Sequence, residues 1–135
     1  MSNLRHATLT WTQGLAFQGG APDGPSITID GDSIMGPGPM VTLLLAAAGC
    51  TGADVVPILE KMRVDLASLR IEVTGTRREE IPKRYIALHL VFHLAGRALD
   101  EIRARRAIDL SLEKYCSVVH SLAPDIALTY DVVVG

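Results

Sequence analysis

Two cysteines stand in this chain, Cys50 and Cys116, separated by 66 in the numbering. Cys50 interrupts the small-residue apolar run LLLAAAGCTGADVV, Leu43 to Val56, where alanine or serine would pack as easily. If folding brings the thiols together they form a redox pair. Cys50 would attack an oxidant as thiolate, and Cys116 would resolve the resulting sulfenic acid as a disulfide. The other reading is two buried thiols acting as small hydrophobes. Their separation fits no local metal motif, and no further Cys or His lies at the short spacing a zinc site uses, so no metal is expected. The helix dipole does not activate Cys50. The thiol falls about three turns beyond Pro39, and that field fades within the first turn. An activating cation or hydrogen-bond donor has to come from elsewhere in the fold.

Three further groups are candidates for chemistry. Asp54 follows Cys50 by one helical turn on the same face, and reads as a general base or as a polar residue bonded to neighbouring backbone. His89 and His93 would share a metal on a helix. On a strand the same spacing spans about 13 Å, which favours two histidines on the outer or edge face of a sheet. The run Arg77, Arg78, Glu79, Glu80 reads as a solvated turn between strands, with a cation for a neighbouring subunit as the minor alternative.

The elements that must position these residues are legible from pattern. Arg5 to Thr12 alternates as a half-buried strand, Gln13-Gly14 suits a hairpin turn, and Leu15 to Gln18 would run back. Ser26 to Asp30 is a short third strand. GPGP, Gly36 to Pro39, ends at a proline fitted to the first turn of a helix. From Pro39 to about Arg63 the residues favour a helix that is apolar nearly all round, which belongs in the middle of a protein. Gly49 and Gly52 each cost about 1 kcal/mol there relative to alanine, which implies close approach by another element. Pro57 cannot donate to Ala53, so a kink is expected. Two strands follow, around Leu69 to Thr74 and Tyr85 to Leu94. A second helix is expected from Asp100 to about His120, with Cys116 on its inward stripe, and then a last strand from Ile126 to Val134. The expected fold class is α+β, an antiparallel sheet with one very apolar and one amphipathic helix, in a single domain spanning residues 1–135.

Composition narrows the setting. The chain has 135 residues, 48% hydrophobic and 21% charged, with a formal net charge of −2. That is ordinary globular composition and gives no electrostatic reason to expect nucleic acid. The N-terminal stretch MSNLRHATLTWTQG has no long apolar core, so no signal peptide is expected. The longest apolar run, Val41 to Ala48 with one threonine inside, is far short of the roughly 20 residues of a membrane span. A cytoplasmic protein with thiols kept reduced is the expectation.

GPGPMVTLLLAAAGCTGADVVPILEKMR, Gly36 to Arg63, followed by RAIDLSLEKYCSV, Arg106 to Val118, resembles the OsmC/Ohr family of osmotically inducible and organic-hydroperoxide-resistance proteins. The likeness runs from WTQGLAFQG to EKYCSV and is nearest the OsmC-like branch with KYCSV. It implies an OsmC-like α+β fold, with antiparallel sheets around a long buried central helix, in an intertwined homodimer. It also implies reduction of organic hydroperoxides with a thiol reductant such as a dihydrolipoyl protein, and no metal or bound organic cofactor. By position Cys50 resembles the peroxidatic cysteine and Cys116 the resolving one. Met40, Leu43 and Ala47 would line an apolar pocket favouring alkyl peroxides. Two family groups are missing from their usual places. Met40 stands where the hydroperoxide-resistance branch has a glutamate, and the hairpin GLAFQGG has no arginine. The alternatives are a small-apolar-ligand binding protein of the same fold, or a hotdog-like thioesterase or hydratase with Asp54 catalytic.

Overall fold

The computed structural model describes residues 3–135; Met1 and Ser2, where the N-terminal stretch read above begins, lie outside them. The chain divides into two compact units, one ending at Leu43 and the other Leu44–Gly135. In the first, β1 (Thr8–Gln13), β2 (Ala16–Gly20) and β3 (Ile27–Asp30) form an antiparallel sheet in the order β1-β2-β3. The β1–β2 turn uses Gly14 at φ +53°, a conformation that disfavours side chains with a Cβ. The half-buried alternation expected from Arg5 onward is not realised. The strand begins at Thr8 and all six of its residues are exposed, Trp11 to 65%. Asp30 closes β3 and is buried; its carboxylate accepts backbone N–H groups from Asp32 at 2.9 Å, Met35 at 3.0 Å and Ile34 at 3.3 Å. The Met35 and Asp32 amides hold that carboxyl below its ordinary value, because each bond favours the charged form.

The long helix α1 (Pro39–Lys61) begins at the expected proline and runs through Pro57 without ending. Its buried residues are Ala47, Ala48, Thr51, Val55 and Leu59, one stripe at three-and-four spacing. The expectation of a helix buried on all sides is therefore corrected for the chain by itself, since Leu45 is 57% exposed and Val56 43%. Nor does length exclude a membrane as the apolar run alone suggested. By length and composition α1 is long and apolar enough to cross one, and 22% of its most apolar 18-residue window is buried.

In the second unit β4 (Asp65–Arg77) and β5 (Tyr85–Arg97) form a long antiparallel hairpin, and β6 (Ala127–Val134) joins the far edge of β5. That last pairing is parallel, not antiparallel as expected. The chain leaves the end of β5 through helices and returns to its beginning, and such a crossover delivers a parallel strand. Alternation along β5 buries Leu88, Leu90, Phe92 and Leu94 on one face, where they share a core with Val55, Leu59, Ala104, Ala107 and Ile108. Each fully buried large aliphatic side chain contributes about 1.5–3 kcal/mol relative to exposure. The opposite face carries the histidines as expected for a strand. His89 Nδ1 lies 2.7 Å from Thr129 Oγ1, and His93 Nε2 lies 2.6 Å from Glu72 Oε1. Arg77 and Arg78 donate to the Lys83 and Pro82 carbonyls at 2.6 and 2.7 Å, so they close the β4–β5 turn.

The crossover is not the single helix expected. Asp100 caps α2 (Glu101–Leu110) by accepting the Arg103 amide at 2.8 Å. A π turn spans Ser111–Tyr115, and α3 (Ser117–His120) follows. Between them Cys116 leaves the helical conformation, at φ −71° and ψ 100°.

Candidate functional site

The π turn is what places Cys116. Its backbone amide donates to the Ser111 carbonyl at 2.7 Å, five residues back. The extra residue widens the helix, and wide turns of this kind recur at functional sites. Two contacts hold the turn on its far side: the His120 amide donates to the Cys116 carbonyl at 3.1 Å, and His120 Nε2 lies 3.0 Å from the Leu112 carbonyl.

Folding brings the two sequence-remote thiols together. Cys50 Sγ, Cys116 Sγ and a carboxylate oxygen of Asp54 all lie within 4.8 Å of one another. Both cysteines are free thiols, and their settings differ: Cys50 is half-buried and Cys116 is fully buried. Burial pushes the Cys116 thiol above its ordinary value, against the opposing pull of the Thr51 hydroxyl, because desolvation disfavours a thiolate.

Two residues that the sequence reading did not single out complete the cluster. Thr51 Oγ1 donates to the Ala47 carbonyl at 2.9 Å and sits 3.4 Å from Cys116 Sγ. A hydroxyl has one proton, so while that bond stands the Cys116 thiol is the donor to Thr51. Were Cys116 ionised, the hydroxyl could turn and donate to sulfur. Ser111, also fully buried, donates from Oγ to Asp54 Oδ2 at 2.9 Å. Asp54 is thus bonded to a side chain rather than to neighbouring backbone. Both polar residues were visible as exceptions on apolar stripes, Thr51 between Ala47 and Val55 and Ser111 after Ile108.

Of the pocket residues expected on α1, Met40 is half-buried, Leu43 is 37% exposed and Ala47 is 1% exposed. With Cys50 they follow three-four-three spacing and share one stripe of the helix.

Two three-stranded sheets, a long apolar helix bearing one thiol and a π turn bearing a second thiol beside it define a paired-thiol α+β protein. Residues 30–131 match the family model described as OsmC-like protein, and the chain belongs to that family. Protein YhfA of Escherichia coli (strain K12) is 42% identical over 130 residues, which cover 94% of this chain and 97% of that one. The crystal structure of a hypothetical protein from Aquifex aeolicus VF5 superposes with a TM-score of 0.88 at 30% identity, covering 99% of this chain and 98% of that one. The organic hydroperoxide resistance protein OhrB of Bacillus subtilis superposes with a TM-score of 0.63 at 14% identity, covering 96% and 98%, a likeness of fold alone. The hotdog expectation is set aside, since the fold is OsmC-like and Cys116 lies beside Cys50.

Proposed function

We propose that this protein is a thiol-dependent peroxidase for organic hydroperoxides, with Cys50 as nucleophile and Cys116 as resolving cysteine. The observation that carries the reading is the unequal exposure of two thiols within 4.8 Å: the one reachable from solvent attacks, and the buried one waits. Cys50 sulfur bonds to one peroxide oxygen, the O–O bond breaks, and the alcohol leaves with a proton. The Cys116 thiol then attacks the sulfenic sulfur; an S–S bond forms, the S–O bond breaks, and water leaves. A dithiol reductant, for which a dihydrolipoyl protein is the family's example, returns two electrons and two protons by exchange. Asp54, held by Ser111, is the proton carrier, taking the Cys50 proton and passing it to the alkoxide. It is a proton acceptor and carries no positive charge, so it does not replace the arginine that the sequence lacks at the family's position. The stripe Met40, Leu43, Ala47 leading to Cys50 would receive the alkyl group.

A homodimer in the cytoplasm is part of this reading. Support comes from apolar side chains that α1 leaves exposed, Val41, Leu45 and Val56, and from Gly49, where an added Cβ would meet nothing within 4 Å. A second copy packing there would account for both.

The test is a free-thiol count after one equivalent of alkyl hydroperoxide. Rapid loss of both thiols, abolished in Cys50→Ser, is the expected result. In Cys116→Ser, Cys50 should persist as a sulfenic acid that dimedone traps. Oxidation no faster than that of a small free thiol would refute the peroxidase. The second reading, a binding protein for a small apolar ligand, would then stand; a cavity of about 720 Å³ is available to it, lined by Ile58, Met62, Ile102, Leu110 and Tyr115 together with the charged Lys61, Asp100, Arg103 and Arg106.

A further inference from the structure

We infer that the reduced cluster is also a zinc site, in which Cys50 Sγ, Cys116 Sγ and one Asp54 carboxylate oxygen hold Zn²⁺ and leave the fourth tetrahedral position open. Sequence neighbours offer no zinc motif, but the fold assembles three donors that spacing alone keeps apart. Cys50 and Asp54 are one turn apart on α1 and so project from the same face, a two-point chelate. The third donor arrives from the π turn. A tetrahedral zinc with Zn–S of about 2.3 Å needs its sulfurs about 3.8 Å apart. The three donor atoms already lie within 4.8 Å of one another, a bound about 1 Å above that separation. Two thiolates with one carboxylate select zinc over magnesium or calcium, which prefer all-oxygen sites.

The surroundings supply the outer contacts that such a site uses. Ser111 Oγ occupies Asp54 Oδ2 at 2.9 Å, which fixes the carboxylate and leaves its other oxygen for the metal. Thr51 Oγ1, 3.4 Å from Cys116 Sγ, can turn to donate to a metal-bound thiolate. Partners of this kind orient the ligands and tune affinity. Binding releases the thiol protons, so affinity increases with pH. The site does not depend on the peroxidase reading. Where both hold, zinc occupies the sulfur electron pair that Cys50 needs for attack, and the disulfide in turn has no thiolates to offer. Bound metal would then shield the reduced pair from hydroperoxide.

The experiment titrates the protein, reduced with a phosphine that does not bind zinc, with Co²⁺ and then Zn²⁺. The expected result is one Co²⁺ per chain, with the tetrahedral absorption and the thiolate charge-transfer band, displaced by Zn²⁺. Cys50→Ser, Cys116→Ala and Asp54→Asn should each abolish or alter that spectrum while circular dichroism stays native. Ser111→Ala should weaken zinc about 10–100-fold, the range for an outer-contact loss. Alkylating Cys50 in the folded wild-type protein should also block binding, with no substitution needed. An octahedral cobalt spectrum without the charge-transfer band would overturn the site. So would zinc affinity unchanged in the Cys50→Ser, Cys116→Ala double variant. Neither readout involves peroxide turnover, so a failed peroxidase assay leaves this result separate.

Discussion

Ser111 Oγ donates a 2.9 Å hydrogen bond to Asp54 Oδ2, tying the π turn to the long helix across 57 positions of sequence. The contact sets the orientation of a carboxylate beside two thiols. A hydrogen bond to a charged acceptor contributes about 1.5–3 kcal/mol. Ser111→Ala should lower the urea midpoint accordingly, with the slope of the transition unchanged. Asp54→Asn keeps the shape of the side chain and removes the proton carrier. Its rate of hydroperoxide reduction should fall about 10²-fold or more, the low end for a general acid–base group. Stopped-flow thiol loss checks the second, and a rate within a factor of two of wild type would remove Asp54 from the mechanism.

The thiols should separate by reactivity. Cys50 is half-buried, whereas Cys116 is fully buried and its thiol is pushed up by desolvation. Limited iodoacetamide at neutral pH should label Cys50 first, read by peptide mass. The pH dependence follows from the sign. A folded-state pKa above the unfolded one means that the stabilising contribution of protonated Cys116 is complete below the ordinary thiol value. It is then lost as pH rises through the higher folded value. The alkaline fall in stability of the reduced protein should therefore be shallower in Cys116→Ala than in wild type, measured by urea denaturation between pH 7 and about 11.

Asp30 should behave in the opposite sense. Its carboxyl is held below the ordinary value, first by the Met35 amide and then by that of Asp32. Its contribution is complete above the ordinary aspartate value and is lost as pH falls through the lowered one. Asp30→Asn should therefore lose stability near neutrality and show less further loss on acidification below about pH 4. Equal acid sensitivity of variant and wild type would count against this.

Two leucines on one helix should divide stability from assembly. Leu59 is fully buried, and Leu59→Ala should cost about 2–5 kcal/mol by opening a cavity. Leu45 is 57% exposed within the chain, so Leu45→Glu should leave the fold of the chain intact. If a second copy covers that face, the variant should run as a monomer in light scattering where wild type runs as a dimer. Wild type found as a monomer at micromolar concentration would end the dimer proposal.

Much of this protein is written in local pattern. Alternation along β5 places Leu90 and Phe92 inside and His89 and His93 outside, because side chains on a strand change face at every residue. The GPGP loop and Pro39 mark the start of α1, and the glycine at the first hairpin takes the positive φ that the turn requires. The family could be read from the residues around the two cysteines. Several things could not be read. A helical repeat continued through Ser111 and Tyr115 hides a π turn, because Ile108, Leu112, Cys116 and Val119 also fit the three-and-four spacing of an unbroken helix. The parallel pairing of β6 depends on where the crossover returns, which no local signal encodes. Nor does alternation in β1 say whether anything covers it.

The sequence alone determined which residue types are available: two thiols, one carboxylate a helical turn from the first, and hydroxyls on two apolar stripes. Only the tertiary structure decided that Cys50, Asp54, Ser111, Thr51 and Cys116 share one place. Periodicity reports the face a side chain takes on its own element, whereas proximity across 66 residues is set by how separate elements pack.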